Sequence, residues 1–225
     1  MIIHAPTSGY MNPLVDIDKS VHNLPHWEQK GTMSFVTFRL ADSLPAEKLA
    51  VYASERDMWL KRHPLPWSED VAAEYAERFG ETIETWLDAG YGQCLLREEA
   101  NREIVENALR YFNGSRYVLY AFVVMPNHVH VLWRMLEGFE EKSVLTSLKS
   151  FTAKAINRRL GRTGAFWQGE YWDRIVRNSR HFSRTAKYIA ANAKGMACCA
   201  WFAKGLAEQE RGDSEKYGEI RELGE

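Results

Sequence analysis

Between residues 116 and 136 the chain reads RYVLYAFVVM, then Pro126-Asn127, then HVHVLWRML. Two runs rich in β-branched and aromatic residues, parted by a two-residue break, are the pattern of an antiparallel hairpin. Upstream, TMSFVTFRL (32–40) alternates in the same way and predicts a strand, as does YWDRIVR (171–177) downstream. Between these strands the apolar period lengthens to that of a helix. Residues 97–112 place Ile104, Val105, Ala108, Leu109 and Phe112 on one face and stop at Asn113-Gly114. Residues 143–160 predict a second helix, with Val144, Leu148, Phe151 and Ala155 on one side and Lys154, Arg158 and Arg162 recurring on another. A last helix is expected from about Arg180 to Asn192.

Leaving residues 43–96 aside, the first six elements follow the order βαββαβ. That order predicts an α+β, ferredoxin-like antiparallel sheet covered by helices on one face, with an extra C-terminal helix. Residues 43–96 read as a helical insertion after the first strand. Ser43 is its expected N-cap with Pro45 close behind, Pro64 and Pro66 end its first helix, and a second helix over 69–88 breaks near Gly80 and closes at Gly90–Gly92. The expected organisation is an N-terminal extension (1–26), one domain (27–204) and a charged, mobile tail (205–225), too polar to pack.

The chain has 225 residues, 45% of them hydrophobic, and no apolar stretch nears the roughly 20 residues a membrane helix needs. The N-terminus lacks the basic start, apolar core and cleavage site of a secretory signal, so a cytoplasmic protein with no membrane partner is expected. Cys94, Cys198 and Cys199 form an odd set without framework spacing, and reduced, buried thiols are expected. The overall charge of −1 conceals a division: −7 over residues 1–115, +10 over 116–204 and −4 over 205–225. The basic segment has two readings, a solvated surface or a polyanion-binding face for which nucleic acid is the leading partner.

Within that segment His128 and His130 alternate with Val129 and Val131, so both imidazoles project from one face of their strand. They read either as half-exposed sheet histidines or as two ligands of one divalent cation. A metallo-lactamase-type hydrolase would continue with Asp-His, where Val131 and Leu132 stand. A two-histidine phosphoesterase would need a second His-x-Ser/Thr, which His181 in HFS does not supply. A structural zinc site would use Cys198 and Cys199, which lack Cys-x2-Cys spacing. On the last helix Tyr188 and Asn192, at i and i+4, share a face. They read either as ordinary helix residues or as a phenol beside a cation whose third ligand is the Asn192 carbonyl; imidazole with oxygen suits Mg²⁺ or Mn²⁺.

FVVMPNHVHVLW, the basic stretch LKSFTAKAINRRLGRTGAFWQGEYWDRIVRN and YIAANAKGM together resemble the REP-associated tyrosine transposases, a branch of the single-tyrosine HUH nucleases. FRLADSLP, WLDAGYGQCLL and RYFNGSRYVLYAFVVMPNHVH extend the resemblance over residues 27 to 197. It implies His128 and His130 as the paired metal ligands, Asn192 as the third, and Tyr188 as the nucleophile. Two departures stand out: Ala193 replaces the proline that usually follows the asparagine, and Arg174 replaces a histidine common after the aspartate. The implied activity is metal-dependent cleavage of single-stranded DNA near hairpin repeats, and strand transfer, through a 5′-phosphotyrosine. It is expected in the cytoplasm, associated with the nucleoid, in a monomer or homodimer. Lys149, Lys154, Arg158, Arg159, Arg174 and Arg177 are the candidate phosphate contacts. Trp167 and Trp172 are candidates for base stacking or core packing, and Tyr171 is the alternative nucleophile. A non-catalytic repeat-binding protein on the same scaffold is the rival reading. An RNA binder is disfavoured because the aromatic strand motif of such sheets is absent, and a metabolic metalloenzyme leaves the basic segment unexplained.

Overall fold

The computed structural model describes residues 2–15, 18–21, 25–64, 67–193, 199–204 and 206–208. Strand β1 (Ile2–Ile3) and the hairpin of β2 (Asp18–Val21) and β3 (Pro25–Glu28) precede β4 (Met33–Arg39). The insertion follows as α1 (Ala46–Arg62), α2 (Glu69–Tyr75), a π-helical turn (Ala76–Gly80) and α3 (Glu81–Asp88). Beyond a 3₁₀ turn (Leu95–Arg97) come α4 (Glu99–Tyr111), β5 (Tyr117–Val124), β6 (His128–Met135), α5 (Glu141–Arg159), β7 (Trp172–Ile175), α6 (Ser179–Asn192), β8 (Cys199–Phe202) and β9 (Ala207–Glu208). None of the described helices is long and apolar enough to cross a membrane.

The main sheet has five strands in the order β7-β4-β6-β5-β8, every neighbour antiparallel. Its first four strands have the ferredoxin-like order that the βαββαβ succession predicts. β8 is an addition at the outer edge, where Cys199–Phe202 pair with Val124–Ala121.

Alternation divides the side chains between two cores. Val36, Phe38, Val129, Val131 and Trp133 face one side, where Val105 and Leu109 of α4 and Val144, Leu145, Leu148 and Ile156 of α5 cover them. Met33, Phe35, Val123 and Leu132 face the other, where α6 lays down Phe182, Ala186 and Ile189 at i, i+4 and i+7. All three are fully buried, and sinking a Phe or Ile in this way is worth roughly 1.5–3 kcal/mol each. The alternation of β5 is interrupted once, by an irregularity between Leu119 and Ala121. The extra residue, Tyr120, resets the parity, so that Phe122 and Val124 return to the face that Tyr117 and Leu119 occupied.

The insertion has its own aromatic core of Leu44, Tyr52, Trp59, Trp67, Phe79, Ile83 and Leu87, with Trp172 of β7 packed against it. Near Gly80 the helix passes through a π turn rather than stopping, and a Cβ at that residue would run into the Arg174 guanidinium. Gly92 has φ +85, and a Cβ there would strike the Asp42 carbonyl.

Several expectations are revised. Helix α1 begins at Ala46 with Pro45 as its cap and no side-chain capping bond. Ser43 is not the N-cap, because its buried hydroxyl donates to the Leu40 carbonyl and accepts from Arg39. Phe151 is not on the apolar side of its helix but 60% exposed. The buried stripe of α5 is instead Glu141, Val144, Leu145, Leu148, Thr152 and Ile156, and the helix starts two residues early, at Glu141, whose carboxylate accepts from Trp133 Nε1 at 2.8 Å. β3 crosses the expected boundary between residues 26 and 27. Leu206 is buried and Ala207–Glu208 pair with Ile2–Ile3, so ordered structure reaches into the expected tail; residues 205 and 209–225 lie outside the described residues. Cys94 is a buried free thiol and Cys199 a half-buried one, while Cys198 lies outside the described residues.

Candidate active site

Because His128, His130 and Leu132 alternate with Val129, Val131 and Trp133, the two imidazoles point to the face that α6 covers. In register, His130 stands opposite Thr37 on β4. Its Nδ1 lies 2.8 Å from the Thr37 hydroxyl, and Nδ1 of His128 lies 2.7 Å from Oδ1 of Asn127. With both Nδ1 atoms engaged, the two Nε2 atoms face one another at 3.1 Å. The histidines are 1% and 0% exposed, which rules out the half-exposed reading. Burial drives the His128 imidazole down to about 3, and burial reinforced by His128 and Arg174 holds His130 well below its ordinary value, so both rings are neutral at physiological pH.

Tyr188 reaches the same point from α6. Asn178 caps that helix by accepting from the His181 backbone N–H at 2.9 Å, and the buried Phe182, Ala186 and Ile189 fix its rotation. The Tyr188 phenol oxygen stands 3.5 Å from Nε2 of His130, a long contact rather than a full hydrogen bond. Phe35 stacks on His130 at 5.4 Å and meets Tyr188 edge-on at 6.0 Å, bracing both rings. Burial, followed by the Glu84 carboxylate, raises the phenol pKa, against a hydrogen bond with Asn192 that lowers it; Asp88 adds to the rise and Arg174 opposes it. Asn192 ends α6 one turn beyond Tyr188, and Ala193 caps the helix in a right-handed conformation. The helix therefore stops at residue 192 with alanine, not proline, after it.

The insertion roofs this site. Gly80, Ile83 and Glu84 face Phe35, Thr37, Trp172 and Arg174 across a narrow cleft, with Glu84 Oε1 3.9 Å from an Arg174 guanidinium nitrogen. Among the described residues no cluster of three His, Cys, Asp or Glu suits a metal ion. A cation at the paired Nε2 atoms would therefore draw its remaining ligands from amide oxygen, water or substrate. Two neutral nitrogens at contact distance, each anchored through its other ring nitrogen, fit such a cation.

The expected phosphate contacts divide. Arg174 lies at the site, and Arg177 is exposed beside α6, its backbone N–H donating to His181 Nδ1 at 3.3 Å. Lys154 and Arg158 are exposed on α5, beyond the opposite face of the sheet. On that helix, too, Lys149 is bound to the carbonyls of Gln168 and Gly169, and Arg159 is paired with Glu98 and Asn101. Trp167 is buried in the core, edge-on to Phe38 and donating to Thr152, while the half-buried Trp172 packs against the insertion and lines the cleft. Tyr171 is buried in the α5-side core, away from the histidines.

Four residues of the site escaped the sequence reading. Asn127 read only as part of a turn, and Thr37 and Glu84 carry no local signal. Arg184, with Arg177 and Arg174, crowds His181, whose pKa falls to about 4 through burial and then these cations. Arg180, Arg184 and Lys187 are all exposed on the helix that carries Tyr188, and their spacing of four and three was the available clue.

A family profile described as transposase IS200 like matches residues 90–192. Over those residues the chain is similar to the IS200-like transposases. The matched segment runs from the turn after α3 to the end of α6, so it contains His128, His130, Tyr188 and Asn192 and leaves out β4 and most of the insertion. No curated protein matches the sequence. Among solved structures, a REP-associated tyrosine transposase bound to a REP hairpin aligns at 17% identity over 87% of this chain and 96% of that one, with a TM-score of 0.41.

Proposed function

We propose that this chain is a metal-dependent endonuclease and strand transferase of the single-tyrosine HUH type, acting in the cytoplasm on single-stranded DNA of the nucleoid near hairpin repeats. The observation that carries this reading is the approach of Tyr188 to the paired imidazoles within one buried site of one chain. That closeness supports use of the tyrosine in cis, in a monomer or in each subunit of a homodimer.

His128 and His130 would hold Mg²⁺ or Mn²⁺ through Nε2, with the Asn192 amide as third ligand. When bound, the cation supplies Lewis-acid stabilisation of the non-bridging phosphate oxygens and favours the phenolate. That help is needed, because burial and two nearby carboxylates hold the Tyr188 phenol neutral. Tyr188 attacks phosphorus in line; its O–P bond forms as the P–O3′ bond breaks. The phenol gives up its proton, and the departing 3′ oxygen takes one up. The 5′-phosphotyrosine retains the phosphodiester energy, so the 3′-hydroxyl of another strand reverses the step without a nucleotide cofactor. Arg174 is the cation nearest the reacting phosphate, and Arg177, Arg180, Arg184 and Lys187 offer the strand a path beside α6. Lys154 and Arg158 are left for more distant DNA, with Lys149 and Arg159 held to the protein.

The test is incubation with a repeat hairpin carrying its single-stranded flanks and Mn²⁺, followed by peptide mapping of the covalent product. A nucleotide on Tyr188 is expected; cleavage with the adduct on another residue, or hydrolysis without an adduct, defeats the reading.

A further inference from the structure

Asn127 sits between the insertion and the imidazole pair, 1% exposed and so shielded from competing water. Its Nδ2 donates to the Leu87 carbonyl at 3.1 Å and the Tyr91 carbonyl at 3.2 Å, 40 and 36 residues away in the chain. An amide nitrogen only donates, so those two oxygens decide which way the side chain faces. Oδ1 is left against His128 Nδ1 at 2.7 Å. An amide oxygen only accepts, so the proton of the neutral imidazole must be on Nδ1, and Nε2 must keep its lone pair toward His130.

Thr37 cannot exert the same control. Its hydroxyl, 2.8 Å from His130 Nδ1, either donates or accepts. In the free protein His130 can donate from Nε2 to His128 Nε2 while Thr37 donates to Nδ1; once that proton is lost from Nε2 and another is taken up at Nδ1, with the Thr37 hydroxyl turned to accept it, the second lone pair is free. Of the two rings, only His128 is locked.

We infer that Asn127 is a positioning residue that fixes the Nδ1–H tautomer of His128 and so presents Nε2 as a cation ligand, and that the insertion holds Asn127 in this sense through the Leu87 and Tyr91 carbonyls. The cation half rests on the proposed function; the tautomer half stands without it. The insertion thus becomes a part of the ligand scaffold as well as a roof.

The test uses the full-length protein with ¹⁵N-labelled histidine and no metal, read by long-range ¹H–¹⁵N NMR. Wild type is expected to show His128 protonated at Nδ1 and bare at Nε2, a result that depends on no variant folding. Asn127→Leu should shift the ring toward the Nε2–H form and weaken Mn²⁺ binding by calorimetry about 10–100-fold. Asn127→Asp, which keeps an oxygen facing Nδ1 but loses both bonds to the insertion, should keep the tautomer and recover only part of the affinity. An Nε2–H ring in wild type, or a tautomer unmoved by Asn127→Leu, overturns the inference. The expected tautomer in a wild-type protein that binds no Mn²⁺ upholds the control by Asn127 and sinks the cation reading instead.

Discussion

The phenol oxygen of Tyr188 and Nε2 of His130, 58 residues apart in the chain, stand 3.5 Å from one another. The contact depends on α6 lying flat against the sheet, which in turn depends on Phe182, Ala186 and Ile189. Tyr188→Phe keeps the ring that Phe35 and His130 brace and removes only the nucleophilic oxygen. The folded variant should therefore melt close to wild type and bind hairpin DNA, yet form no covalent adduct on a denaturing gel. Wild-type adduct yield from this variant would move the nucleophile elsewhere.

The contact also predicts a dependence on packing far from the chemistry. Phe182 is fully buried beneath α6, and truncating it to alanine should cost about 3–5 kcal/mol of stability. Denaturant unfolding measures that loss. Adduct formation by the surviving folded fraction should also fall, because a cavity under the helix loosens the aim of Tyr188.

Thr37→Val is the corresponding probe of the other ring. It preserves shape but removes the partner of His130 Nδ1 inside a fully buried site. An unsatisfied buried nitrogen should cost about 1–3 kcal/mol, readable as a lowered midpoint in urea. Mn²⁺ affinity should fall too, because the ring then lacks the hydrogen bond that turns Nε2 toward its neighbour and is held by the Phe35 stack alone in the sheet.

The parts of this site that the sequence disclosed are those set by local periodicity. Two histidines one residue apart must share a strand face, and residues 188 and 192 must share a helix face, whatever the rest of the chain does. What was hidden depends on long-range placement. Asn127 looks like half of a Pro-Asn turn until the carbonyls of Leu87 and Tyr91 arrive from the insertion. Phe151 fits the apolar spacing of its helix, but burial of Glu141 beside Trp133 rotates the stripe and leaves the ring in solvent. The edge strand Cys199–Phe202 is too short to show alternation above its surroundings, and the need for glycine at residue 80 comes from an Arg174 side chain that only the fold brings there.

Glu84 supplies a prediction about access. Its carboxylate stands 3.9 Å from Arg174, and the two side chains are 23% and 38% exposed. Such a partly exposed pair is worth about 0.2–1 kcal/mol. Glu84→Gln removes a carboxylate that competes with phosphate for Arg174 and repels it, so affinity for a single-stranded oligonucleotide should rise, by up to roughly fivefold. Fluorescence anisotropy at fixed salt decides it. Unchanged or weaker binding would show that the strand does not pass between α3 and β7.

The strand's path is open to a separate measurement, because the two basic helices lie on opposite faces of the sheet. Each phosphate released from contact with a single strand should lower the slope of log affinity against log salt by about 0.7. If the strand runs beside Tyr188, replacing Arg180, Arg184 and Lys187 by alanine should flatten the slope by about 2. The pair Lys154→Ala and Arg158→Ala should alter it by less. A reversed ranking would put the DNA on the α5 face, and the scissile phosphate would then have to reach Tyr188 around the sheet edge formed by β7, past Arg174.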